Sequence, residues 1–148
     1  MTIDDRLVCQ FRDIGHTLHS VSEGRGGQKR ILILLLEAGP MTQRELTSRL
    51  RIQPGSASEV IGKLEAAGLL ERTPSLGDKR TTDVHLTQAG LAAAQEAKQA
   101  RGERNARMFA CLTDEEKETA LALLRKINAW WDVQFREGGA QQRDGQEA

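Results

Sequence analysis

The side chains best suited to partner chemistry lie close together and are of the kind that grips polyanions. Asp78, Lys79 and Arg80 follow the turn-forming run Pro74-Ser75-Leu76-Gly77, and Arg72 precedes it. Ser56, Ser58, Glu59 and Lys63 lie upstream within one helical stretch. Serine hydroxyls contact phosphates or base edges, lysine contacts phosphate, and a glutamate can accept from a cytosine amino group. Patterns for bond-making chemistry are missing: no Gly-rich phosphate loop, no Cys-x-x-Cys, no Gly-x-Ser-x-Gly elbow and no His-Glu-x-x-His. The chain reads as a binding protein without a cofactor, not as an enzyme.

Two short helices and a hairpin are expected to hold these residues. Thr42-Gln43-Arg44-Glu45 has the Thr-x-x-Glu form of a capping box, which starts a helix with Leu46 and Leu50 on its buried face. Arg51-Ile52-Gln53-Pro54 ends it, because a residue before proline disfavours α geometry. Pro54 suits the first position of a second helix, Ala57, Val60, Ile61 and Leu64 give that helix an apolar face, and Gly68 supplies a left-handed stop. Leu70, Arg72 and Thr73 before the turn, and Thr82, Val84 and Leu86 after it, read as a β-hairpin with the cations at its tip. A hairpin directly after the second helix of a helix-turn-helix makes a winged helix.

The segments Leu64-Glu65-Ala66-Ala67-Gly68-Leu69-Leu70-Glu71-Arg72, Gly77-Asp78-Lys79-Arg80 and Leu86-Thr87-Gln88-Ala89-Gly90 together closely resemble the MarR transcriptional regulators. The resemblance covers about residues 28–90 and is carried elsewhere by helix order and length. It implies a mainly α fold with a small β-hairpin wing, a winged helix-turn-helix with long N- and C-terminal dimerisation helices. It further implies that the helix from Pro54 to Ala67 enters the major groove of double-stranded DNA. Asp78 and Arg80 fill the family's Asp-x-Arg wing motif, in which the Asp orients an Arg that reaches the minor groove. The plain alternative for these two is a solvated turn with a weak surface pair. Glu59 departs from the basic or neutral residue of many relatives: it reads a base, repels phosphates, or pairs with Lys63 four residues on.

Length and charge bound the reading without producing it. A chain of 148 residues with 39% hydrophobic composition suits one domain or a domain with a helical extension. The apolar block Ile31–Leu36 is too short to span a bilayer, and no signal peptide precedes it, so a cytoplasmic protein without a membrane partner is expected. Net charge is formally zero. Between Gly24 and Gly90, however, 10 Lys/Arg stand against 7 Asp/Glu, a local +3 balanced by −3 in the flanks. A mildly basic head on acidic flanks is compatible with DNA.

The flanks read as long helices. Leu7, Phe11, Ile14, Leu18 and Val21 recur at helical spacing before the Gly24-Arg25-Gly26-Gly27 break, and Gln28 to Ala38 is nearly all apolar. Thr87 opens an alanine-rich helix running to about Cys111, roughly 36 Å long. Thr113-Asp114-Glu115-Glu116 is a second capping box, after which Leu121, Leu124, Ile127, Trp131 and Phe135 line one stripe. These stripes lack an obvious partner in the same chain. Residues 1–23 and 91–137 are accordingly assigned to homodimerisation, 28–90 to the winged helix, and 138–148 to a frayed polar tail. A dimer of this kind presents two recognition helices about 34 Å apart to a pseudopalindromic operator. The alternative is a monomer whose helices fold back on the head.

Control of such a regulator admits two readings. Relatives bind phenolic or other small aromatic effectors between head and dimer helices, and His16, His19, Trp130 and Trp131 are of the type to line such a pocket, or else are surface and packing residues. Organic-peroxide-sensing relatives carry a reactive Cys early in the first helix, where this chain has Cys9. The tyrosines that activate the thiolate there have no counterpart in a chain without tyrosine, so ligand control is expected over redox control. Cys9 and Cys111 are not expected to form a structural disulfide. His16 and His19 with Asp13 make too thin a set for a metal site. Outside the regulator class, the alternative is a winged-helix protein-interaction module with a silent DNA surface.

Overall fold

The computed structural model describes residues 1–21 and 27–137. The elements are α1 (Ile3–Val21), α2 (Gln28–Ala38), β1 (Met41–Thr42), α3 (Gln43–Leu50), α4 (Pro54–Ala66), β2 (Leu70–Pro74), β3 (Thr82–Leu86), α5 (Gln88–Met108) and α6 (Asp114–Trp131), followed by a π-helical segment at Asp132–Glu137. They group into two compact units, Met1–Gly102 and the chain from Glu103 onward. The glycine break between α1 and α2, Gly27 excepted, and the expected tail at 138–148 lie outside the described residues.

In the first unit one apolar cluster organises the head. It combines Ile31, Leu32 and Leu35 of α2, Leu46 and Leu50 of α3, Val60, Ile61 and Leu64 of α4, Leu70 and Val84 of the hairpin, and Ala94 of α5. Full burial of each such leucine or isoleucine contributes about 1.5–3 kcal/mol, which is why α2 sits at the centre and is apolar on nearly every side. The sheet is antiparallel with order β1-β3-β2. Its register pairs Leu70 with Leu86, Arg72 with Val84 and Pro74 with Thr82, so these six share one face. β1, two residues opposite Asp83 and Val84, was not foreseen, since two residues carry no period.

The helix boundaries follow local chemistry. Thr42 caps α3 by accepting from the Glu45 N–H at 3.1 Å. The carboxylate of Glu45 turns to Arg49 at 2.7 Å instead of reaching back, so the expected box is half made. Arg51 ends α3 in the left-handed region with φ 52°. Gly68, at φ 76°, turns the chain from α4 into β2, and the Leu69 N–H reaches back to the Leu64 carbonyl at 3.0 Å.

Where the hairpin rejoins the helices, Thr87 binds in three directions. Its hydroxyl donates to the Gly68 carbonyl at 2.6 Å and accepts from the Gly90 N–H at 3.0 Å, while its own N–H donates to the Leu69 carbonyl at 3.1 Å. Gly90 is buried against that strand entry: a Cβ there would fall 1.9 Å from the Leu69 carbonyl oxygen. The helix expected to reach Cys111 stops at Met108. Ala110 and Leu112 donate three residues back, tightening the chain so that Thr113 can leave helical geometry and cap α6.

In the second unit α6 opens with a complete capping box, Thr113 and Glu116 each satisfying the other's N–H at 3.2 and 2.8 Å. No residue of α6 is buried, and none of α1 in the first unit. The stripe expected to run from Leu121 to Phe135 keeps its helical spacing through Trp131. Beyond that the helix widens into a π-helical turn, and Phe135, like Leu121, Leu124 and Trp131, is exposed. No helix of the described residues is long and apolar enough to cross a membrane.

Candidate nucleic-acid interface

α4 presents its polar side outward because its other side is committed. Ala57, Val60, Ile61 and Leu64 are buried, and Ser56, Ser58, Glu59 and Lys63 are exposed. The helix begins on Gln53 in extended geometry, without a side-chain cap and with Pro54 in the first turn. Its N-terminal amides and the positive end of its dipole therefore face solvent, a setting that favours an anion. Glu59 and Lys63 pair at 3.1 Å, one of the three readings that the sequence left open for Glu59. Both partners are well exposed, so the pair contributes little to stability and phosphate can compete for the lysine.

The wing tip is braced from within. Ser75 donates its hydroxyl to Asp83 at 2.6 Å and its N–H to the Thr81 carbonyl, while Thr81 donates to the Asp78 carbonyl through both N–H and hydroxyl. The Asp78 carboxylate accepts the Arg80 backbone N–H at 3.0 Å and stands 4.0 Å from the Arg80 guanidinium. Asp78 thus fixes the loop that carries Arg80 more firmly than it fixes the guanidinium. The Arg80 side chain is 94% exposed, and Lys79 is exposed beside it. The tip offers two exposed cations on a hydrogen-bonded base.

Arg72 behaves differently from the other wing cations. It shares a strand face with Leu70, and its guanidinium meets Glu65 of α4 through two hydrogen bonds of 3.0 Å each. Hydrogen bonds from Arg72 hold the Glu65 carboxyl below its ordinary range, and the carboxylate in turn raises the Arg72 guanidinium. The residue placed among the DNA contacts on charge is therefore engaged inside the head, and period two along β2 was the signal for it. On the opposite strand face Glu71 and His85 pair at 2.9 Å across the hairpin.

A feature that the sequence reading missed lies at the turn between α3 and α4. Gln43, Arg44, Thr47, Ser48, Arg51, Ile52 and Pro54 line an open groove of 530 Å³. Arg44 and Arg51 are exposed beside the uncapped start of α4, where guanidinium groups can meet a backbone phosphate. The left-handed backbone of Arg51, uncommon for a residue with a side chain, was the part that sequence did not reveal.

The residues considered for control lie on other elements. Cys9, His16 and His19 are exposed on α1 of the first unit, and Cys111 is exposed after α5. Trp130 and Trp131 are exposed at the end of α6 in the second unit. That unit contains an apolar cavity of 340 Å³ lined by Phe109, Leu112, Ala120, Leu121 and Leu124 among others, none of them the four residues proposed for an effector. Among the described residues no three His, Cys, Asp or Glu side chains are grouped to hold a metal ion.

A helix-turn-helix with an outward polar recognition helix, continued by a hairpin that ends in exposed cations, is the reading head of a winged-helix DNA-binding protein. Comparison with known proteins agrees. The MarR family profile matches residues 27–82. The HTH-type transcriptional regulator YwhA of Bacillus subtilis, itself uncharacterised, is 30% identical over 97 residues, which cover 66% of this chain and 70% of that protein. The HTH-type transcriptional repressor MdtR of the same organism is 28% identical over 124 residues, 82% of this chain and 80% of that protein. A crystal structure of a mutant MarR from E. coli complexed with operator DNA shares the fold with a TM-score of 0.69 at 24% identity, over 86% of this chain and 99% of that one. The chain belongs to the MarR family and is a DNA-binding transcriptional regulator.

Proposed function

We propose that this protein is a cytoplasmic, ligand-responsive repressor that binds a pseudopalindromic operator as a homodimer and carries out no catalytic step. The observation that carries the reading is the pairing, on one head, of an exposed polar face of α4 with the exposed Arg80 at the wing tip. α4 lies in the major groove, with Ser56, Ser58 and Lys63 toward phosphates and base edges, while Arg80 and Lys79 reach the minor groove beside it. The unburied apolar faces of α1 and α6 support residues 1–23 and 91–137 as the dimerisation region. Repression is supported by MdtR, which is named a repressor, and operator binding by the relative whose crystal structure contains operator DNA. A small aromatic effector relieves binding, with His16, His19, Trp130 and Trp131 as its candidate contacts on side-chain type.

Selection of duplexes from a random pool by the purified protein tests this. Enrichment of a two-fold symmetric site, with an affinity that falls steeply as salt rises, is the expected result. A pool that remains random and shows no salt dependence would leave a protein-interaction module as the better reading.

A further inference from the structure

We propose that Glu65 and Arg72 are positioning residues that set the reach of the wing relative to the recognition helix, and so govern discrimination at the minor-groove end of the operator. The proposal rests on the DNA-binding reading of the head and adds a role for the pair that joins the recognition helix to the wing.

The argument begins at the root of the wing. Between α4 and β2 lie Ala67, Gly68 and Leu69, and the backbone bonds there fix where the hairpin starts. Direction is a separate matter. β2 is five residues long, about 17 Å at strand rise, so a swing of about 10° at the root moves the tip by about 3 Å. That exceeds the tolerance of a hydrogen bond, which weakens steeply beyond a few tenths of an ångström. A cation placed by its backbone, as Arg80 is, needs the whole hairpin held at one angle.

The Glu65–Arg72 pair is built to do this. Glu65 is in the last turn of α4 and Arg72 is three residues beyond the root, so the pair spans the corner. The guanidinium fork uses two nitrogens on two carboxylate oxygens at 3.0 Å, which fixes orientation as well as distance. Both side chains are more than half covered, with 30% and 39% exposure, whereas every other pair on this head has at least one partner about half exposed or more. The neighbouring pairs cannot substitute. Glu59–Lys63 stays within α4, Asp78–Arg80 within the tip, and Glu71–His85 ties β2 to β3.

The test uses Arg72→Lys, which keeps the charge and loses the fork. In full-length protein with Cys9 and Cys111 replaced by serine, spin labels at Ser58→Cys and Leu76→Cys report the helix-to-tip distance without DNA. A narrow distribution that broadens with Arg72→Lys, and narrows again when Glu65→Arg is combined with Arg72→Glu, is expected. Binding is then measured on operators whose wing-facing flank is A·T-rich or G·C-rich. The parent should discriminate by about tenfold, the scale of one mismatched pair. Arg72→Lys should lose most of that while keeping preference at positions under α4, and should add nothing in an Arg80→Ala background. An unchanged distance distribution, or an equal loss on both flanks that persists without Arg80, would overturn the proposal. If Arg80→Ala itself leaves flank discrimination intact while the distance still broadens, the minor-groove reading of the wing falls and the clamp geometry stands.

Discussion

The head and the flanking helices are made of similar material and treat it in opposite ways. Leucine, isoleucine and valine of α2, α3, α4 and the hairpin are driven into one cluster, several with no exposure at all. α1 leaves Leu7, Val8, Ile14 and Leu18 in solvent, and α6 leaves Leu121, Leu124, Trp130 and Trp131 there. The difference lies in geometry, not composition: short elements joined by tight turns bury one another, whereas no residue of α1 or of α6 is buried. Exposed apolar faces of this extent mark interaction sites, and on the proposed function their partner is a second copy of the chain.

The comparison breaks most readily at the C-terminal end. Deleting residues 113–148 leaves every residue of the head in place, yet should convert the dimer to monomer and abolish tight binding to a two-fold operator, because each head alone holds half a site. Sedimentation and a titration on the full site check this, and a truncated protein that stays dimeric and binds equally well places the interface elsewhere. A matched pair of core and flank substitutions sharpens the contrast. Leu46→Ala should destabilise the protein by about 2–5 kcal/mol at any protein concentration, since it opens a cavity in a filled cluster. Leu124→Ala should act through assembly, so its denaturation midpoint should recover as protein concentration is raised. Equal, concentration-independent losses would show that both residues belong to one monomeric core.

Within the head a smaller effect separates side chain from scaffold. Arg80→Ala should weaken operator binding by about 1–3 kcal/mol. Asp78→Ala should lose part of the same energy by loosening the loop, and the double variant should lose no more than the sum's larger part. Strict additivity in the cycle would assign Asp78 a role independent of Arg80. The smallest effect is expected on α1. Cys9→Ser should repress normally, and stoichiometric organic peroxide should leave the parent on its operator. Rapid release by peroxide that Cys9→Ser prevents would make redox chemistry the control.

Much of the head was legible because its signals are local. The apolar run read as Gln28 to Ala38 is α2 to the residue, and Pro54, Gly68 and the alternation about Val84 mark the boundaries observed. What escaped depends on tertiary context. β1 exists because β3 offers it a partner. Arg72 was grouped with the DNA-facing cations by charge, whereas the strand period, applied to a charged residue as strictly as to an apolar one, would have turned it inward to Glu65. The π-helical turn after Trp131 also went unread, since it is set by backbone geometry that side-chain spacing does not encode.

The stitch made by Thr87 bears on how this head can diversify. Since its hydroxyl joins the carbonyl that closes α4 to the amide that opens α5, the hairpin leaves and re-enters the fold through one sewn opening. Lengthening the tip near Leu76 and Gly77 then enlarges a loop whose ends are already held, and doubling such a loop costs only about 0.6 kcal/mol in closure entropy. Gly90, wedged on the Leu69 carbonyl, has no such latitude. Descendants of this chain are free to change how far the wing extends, and toward which groove, while the seam beneath it stays as it is.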